Sequence, residues 1–596
     1  MRTRRSPDAS QIQSLVNVAL GEEKADLVIR GGDVVNVYTG EILRGWSVAT
    51  KEQWIAFVGE DAAHTIGPET RVIEASGKTV IPGLIDGHAH VMHTHATLDE
   101  FLKYVIRSGT TTIITETLDF CFALGYEGIV DFLDSVQNQP IKIFATAPST
   151  LANGQPDYTG VITPAQFRRL LDREDILGLG ESNWVRVTRG DNRLLKLFAE
   201  ALSRGKRLEG HSAGAKGNKL AAFAASGNSS CHEAITAEEA LERLRLGMHV
   251  MIREGDVRTD LEAIAPIKDR GIDFRRLVLT TDGIGARHLL DQGYLDAAVR
   301  KAIALGFPPV AAVQMVTLNV AEHFGIDTIV GGIAPGKYAD MVVTPDLKTL
   351  TPQYVISNGR IVASEGKLLI RPLRHTYPPA ARKTVRLPRK FTARDFIIRV
   401  KDSSEAVTAR VIDLGNGIAN KEAHVTMPLL QGEIKIDTDR DILKVAAIDR
   451  IMNSAKMFVG LIRGFGLKRG AFAATAAWDV ANIVVVGASE RDMAGAVNRI
   501  RELQGGAVVY ADGKVIVELP MPIAGQTSEL RMEAIAERMA SIQKELERLG
   551  CKLPYAHLML NTLTTTIVPA LRLSTDGLLG IKEGELLDLL VRQGKG

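Results

Sequence analysis

The sequence predicts an α/β fold: a (β/α)8 TIM-like barrel inserted in a small β-sandwich domain and followed by a C-terminal α+β domain. Three observations predict it. Short apolar runs broken by Gly and Asp flank a long central region on both sides. Within that region strand-like and helix-like stretches alternate, as a barrel requires. Histidines and carboxylates recur where the strand-like runs stop. A doubly wound sheet is the competing fold. The barrel is preferred because its strand ends converge on one face.

The elements follow in order. Residues 10–24 read as a helix with a polar face. Residues 26–30, 33–37 and 54–59 read as strands separated by Gly-rich turns. The same texture returns at 339–343 and 354–362, so both flanks are expected to complete one β domain. Barrel strands are expected at 111–115, 141–147, 176–180, 207–210, 249–252 and 277–281, with helices such as 236–246 and 295–305 between them. The expected boundaries are 1–83 and 331–370 for the two parts of the β domain, 84–330 for the barrel, 371–395 for a linker rich in Pro and Arg, and 396–596 for the α+β domain.

Composition excludes several classes of function. Lys and Arg number 72 against 70 Asp and Glu, so bulk charge makes no case for nucleic acid or an anionic membrane. No apolar run approaches the roughly 20 residues that span a bilayer. Cys121, Cys231 and Cys551 are scattered and odd in number, which fits a reducing cytoplasmic setting rather than a disulfide framework. The run Gly464-Phe465-Gly466-Leu467-Lys468-Arg469-Gly470 lacks dinucleotide-fingerprint spacing and reads as a turn.

The most telling stretch is Val80-Ile81-Pro82-Gly83-Leu84-Ile85-Asp86-Gly87-His88-Ala89-His90. On a strand, i and i+2 share a side, so His88 and His90 can hold one metal ion together. Further strand ends supply Glu181, His211, His232 and Asp282. Six protein ligands over-fill one tetrahedral site that also holds water, so the set suits two divalent ions. Such a centre lowers the pKa of bound water. Glu181 has two oxygens with which to span two metals, and Asp282 can both bind a metal and accept a proton from water. A His/carboxylate set with water does not choose among Mn, Fe and Zn. His64, His249, His288, His323, His375, His424 and His557 lack partner spacing and are expected on the surface or in the core. For His93 and His95, just past the pair, a solvated loop is preferred slightly over lining the pocket mouth.

These residues resemble the adenine deaminase branch of the amidohydrolase superfamily, and the resemblance runs over essentially the whole chain. The matching stretches are residues 82–90, Gly210-His211, Cys231-His232-Glu233, residues 246–255, Thr281-Asp282, Gly464-Phe465-Gly466-Leu467 and residues 519–525. The resemblance implies a metal-bridging glutamate, Glu181, in place of a carboxylated lysine; no lysine occurs in 176–182. It implies hydrolytic deamination of adenine or a close 6-substituted purine, without an organic cofactor, by a homo-oligomer such as a dimer. It also implies a pocket acid, Glu116 or Asp119. The chain departs from the branch at Val91-Met92-His93-Thr94-His95, at Gly283 after Asp282, at Leu118 and at Trp478-Asp479. Two other readings compete: hydrolysis of another C–N bond, in a cyclic amide or amino-heterocycle, and a non-catalytic metal-binding protein.

Overall fold

The strands expected on the two flanks pair with each other. In a computed structural model, which describes residues 6–149, 162–401, 404–415, 420–477, 480–565, 570–581 and 584–591, Thr79–Pro82 runs antiparallel to Met341–Thr344, with Ile81 opposite Val342. One nine-stranded sheet results. The two strands expected at 26–30 and 33–37 are one, Leu27–Asn36. Gly31 adopts φ 70° beside an irregularity of register, so the ladder continues through a bulge instead of turning back.

Between the flanks lie eight parallel strands: Leu84–Ala89, Thr110–Glu116, Lys142–Pro148, Ile176–Asn183, Arg207–His211, Ser230–Cys231, His249–Arg253 and Leu277–Thr280. The first five pair in one sheet and the last three in another. Two seams close the ring. The Ser229 amide donates to the Leu208 carbonyl at 3.0 Å, and the Asp282 amide donates to the His88 carbonyl at 3.0 Å. A doubly wound sheet has no such closure. The interior is filled, not open: Ile85, Ile114, Phe144, Leu177, Met251 and Val278 are buried with Val320, Ala321 and Phe324 of the helix Leu318–Phe324. Removing this much apolar surface from water is the main stabilising term of the barrel.

The chain separates into two units, residues 1–94, 98–117 and 130–375, and residues 95–97, 118–129 and 376–596. The second unit centres on a ten-stranded sheet. The helix Glu490–Leu503 covers it, burying Met493, Val497 and Ile500 against Ala446, Ile448, Ile483 and Val485. Within the stretch expected as a linker, Val385, Leu387 and Phe391 are buried in this same core. Leu124 packs with Tyr377, Ala381 and Ile523, which groups residues 118–129 with this unit. The Gly464 and Gly466 amides both donate to Asp441, at 2.9 Å each, so the glycine-rich run is a turn clasped on its own carboxylate. Cys121, Cys231 and Cys551 are buried thiols. Among the described residues no helix is long and apolar enough to cross a membrane. Trp478 and Asp479 lie outside the described residues.

Candidate metal centre

The first barrel strand sets the site. Gly87 faces the interior, where a side chain would meet Val320. The register against the next strand then shifts between Asp86 and Ala89. Such an irregularity re-aims the residues that follow. Asp86 locks it from behind. Its carboxylate is fully buried and accepts from Thr281 Oγ1 at 2.6 Å and from the His88 amide at 3.2 Å. Burial raises the Asp86 carboxyl above its ordinary value, against the pull of the Thr280 and Thr281 hydroxyls.

His88 and His90 then meet the two carboxylates. His88 Nε2 lies 3.5 Å from Glu181 Oε1 and 3.8 Å from Asp282 Oδ1. His90 Nε2 lies 3.3 Å and 3.5 Å from the same two oxygens. His232 Nε2 stands 3.6 Å from Glu181 Oε1 and 3.2 Å from His211 Nδ1. Donor atoms of three overlapping trios lie within 4.8 Å of one another: His88, His232 and Asp282; His88, His90 and Glu181; Glu181, His211 and His232. All six expected ligands are therefore in one cluster, with Glu181 Oε1 central to three imidazoles. Both carboxylates sit at left-handed backbone positions, Glu181 at φ 32° and Asp282 at φ 58°. Non-glycine residues hold such conformations at a cost of about 1–3 kcal/mol each, and these outliers cluster at working sites.

The donor set fits divalent cations. His211 Nε2 is buried without a hydrogen-bond partner, an arrangement that a bound cation would satisfy. Burial, reinforced by His88 and His211, holds His232 well below its usual range, so it is a neutral donor. Burial opposes ionisation of Glu181, but hydrogen bonds from His88 and His90 prevail and hold its carboxyl well below the ordinary value. His88 is lowered by burial yet pushed up overall to about 8 by Glu181, Asp282 and Glu116.

Glu116 stands behind His88, with Oε1 3.6 Å from Nδ1. Burial, with the charge of Glu181, pushes it up to about 7. Asp119 is in the first turn of the helix Leu118–Ser135 and belongs to the second unit. His95 also belongs to that unit, where Nδ1 donates to the Gln526 carbonyl at 3.1 Å. It is buried, not solvated as expected. His93 explains a departure noted above. A Cβ on Gly283 would sit 3.0 Å from the His93 ring and 2.6 Å from Val257, so a second aspartate after Asp282 has no room here.

Sequence reasoning passed over two residues. Glu233 Oε1 lies 3.4 Å from His232 Nε2 and 3.7 Å from His211 Nδ1. Arg253 Nη1 donates to Glu233 at 2.5 Å and to Asp282 Oδ2 at 3.4 Å, while Nε donates to Asp260 at 3.0 Å. A buried guanidinium thus ties two carboxylates of the site together. Its signal was a charged residue closing an apolar strand, His249–Arg253.

Residues 79–362 match the amidohydrolase family, and residues 418–585 match the adenine deaminase C-terminal domain. An adenine deaminase of Moorella thermoacetica is 38% identical over 98% of this chain and 99% of its own. Adenine deaminase 3 of Rhizobium meliloti is 36% identical over 97% and 98%. An adenine deaminase of Ruegeria pomeroyi is 36% identical over 97% of both chains. With this likeness from end to end, and the cluster of imidazoles and carboxylates at the barrel's strand ends, the chain belongs to the adenine deaminase family of metal-dependent amidohydrolases.

Proposed function

We propose that the chain hydrolyses adenine to hypoxanthine and ammonia at a centre for two divalent ions. The observation that carries the reading is the near-full-length likeness to proteins named adenine deaminase. The six-residue donor cluster supports it.

His88 and His90 would hold one ion, His211 and His232 the other, with Glu181 between them and Asp282 beside the first pair. Ions bound there would supply Lewis acidity and lower the pKa of a water molecule. Asp282 takes the proton as the water oxygen adds to C6 of the purine, then delivers it to the departing amino nitrogen. Arg253 holds Asp282 Oδ2 and so fixes the carboxylate, leaving Oδ1 toward the imidazoles. Glu116 orients His88 through Nδ1, the usual task of a carboxylate behind a ligating imidazole. We assign it that positioning role in preference to contact with the purine.

The test is ammonia release from a panel of purines and lactams after reconstitution with Mn, Fe or Zn. Turnover of adenine is expected. Inertness toward adenine with turnover of a lactam would replace this reading by the other C–N hydrolase.

A further inference from the structure

The barrel unit holds a second convergence of charged side chains, away from the six ligands. A cavity of about 240 Å³ is lined by Arg207, Arg275, Arg276, His249, Glu322 and His323. Arg207 and His249 open the strands Arg207–His211 and His249–Arg253, Ser229 in the lining precedes Ser230–Cys231, and Arg275 and Arg276 precede Leu277–Thr280. The cavity therefore gathers the beginnings of four consecutive barrel strands. His211, His232 and Asp282 stand at or just past the other ends of three of those strands.

The charge there is unbalanced. Among the described residues no ion pair joins Arg207, Arg275 or Arg276 to a carboxylate, and Glu322 is the single carboxylate of the lining. Arg276 Nη1 donates to the Gly247 carbonyl at 2.8 Å and lies 3.4 Å from His249 Nδ1. The buried His323 is placed by Glu209, whose Oε1 is 2.8 Å from Nε2, and its Nδ1 is 3.1 Å from His249 Nδ1. Burial, with the charges of His323, Arg276 and Arg207, pushes His249 down to about 2. Each arginine guanidinium is a planar fork of donors that matches phosphate oxygens, and three of them, all solvent-exposed, line this one cavity. The volume is below the roughly 300–1,000 Å³ of sites for drug-sized ligands, which restricts the occupant to a small anion.

We propose that this cavity is a binding site for a small phosphate-class oxyanion, separate from the metal centre. It is read from the lining alone and does not depend on the substrate assigned above.

Calorimetric titration of the metal-loaded full-length protein with inorganic phosphate, diphosphate and adenosine monophosphate tests it. Saturable binding of at least one is expected, weaker at high salt. The Arg275→Gln, Arg276→Gln double variant should bind about tenfold or more weakly, as loss of two charge-assisted contacts requires. Arg207→Gln should weaken binding in the same direction. Adenine turnover and thermal melting of both variants should match the parent, which shows that they fold. Tightest binding of the monoester identifies its phosphoryl group as the ligand; tightest binding of phosphate or diphosphate identifies the free ion. Titrations that are flat for all three, or phosphate binding unchanged in both variants and hence located at the metal centre, would overturn the proposal.

Discussion

The main chains of His88 and Asp282 hold each other in place. The Asp282 amide donates to the His88 carbonyl at 3.0 Å, and the His90 amide donates to the Asp282 carbonyl at 2.7 Å. Their side chains meet at 3.8 Å. The bonds that close the barrel between its first and last strands are therefore the bonds that assemble the site. Ring closure and the placement of His88, His90 and Asp282 rest on the same two bonds.

Asp282→Asn tests the proton-transfer role. The amide keeps the shape but does not accept the water's proton. A fall in kcat of about 10²–10⁴-fold is expected, the range for loss of a general base. Steady-state kinetics on adenine, with elemental analysis of metal content, checks it. A fall in kcat that merely tracks lost metal would argue against the role.

Glu116→Gln tests the positioning role. Removing the charge behind His88 Nδ1 should weaken metal binding about 10–100-fold, as for other partners of ligating imidazoles. Competition with a graded chelator reads this directly. Unchanged affinity with a changed pH profile would return Glu116 to the position of a pocket acid.

Gly180→Ala tests the packing behind Glu181. Its Cβ would fall 1.9 Å from Glu116 Oε2 and 2.6 Å from Thr146 Oγ1. Both are buried, so the clash is relieved only by moving Glu116 or the strand. A loss of about 1–3 kcal/mol is expected from overpacking. Denaturant unfolding of the apoprotein measures it, and parental stability would contradict the account.

Asp256 gives a pH-dependent prediction. It anchors the segment after Asp282: its Oδ2 accepts from the Gly285 amide at 2.6 Å, and its Oδ1 lies 2.7 Å from His288 Nδ1. Burial would raise its carboxyl, but the His288 bond prevails and holds it below 3.8. The folded value is then lower than the unfolded one. Its stabilisation is complete above 3.8 and is lost as pH falls through the folded value. Asp256→Asn should cost about 1–2 kcal/mol near neutrality. In calorimetry the gap in Tm should close in strong acid. A gap that persists there would place the effect in packing.

What was legible in the sequence was local or periodic. His88 and His90 straddle the end of one strand, and Glu181, His211 and Asp282 each follow an apolar run, so strand ends alone brought them together. The barrel's alternation was legible for the same reason. Arg253 and Glu233 were not, because their pairing spans separate strands and depends on how the ring closes. Val385, Leu387 and Phe391 were obscured by the prolines and arginines around them. The positive φ at Glu181 and Asp282 had no local signal, since neither is glycine.

The central claim is that side chains from separate strand ends enclose a pair of divalent ions. Diffraction from crystals of the reconstituted protein, recorded at the absorption edge of the loaded metal, tests it most directly. Two anomalous peaks are predicted, about 3.5–4 Å apart as in other paired-metal centres, one beside His88 and His90, one beside His211 and His232, with Glu181 between. A peak outside this cluster, or none within it at full metal occupancy, would contradict the account.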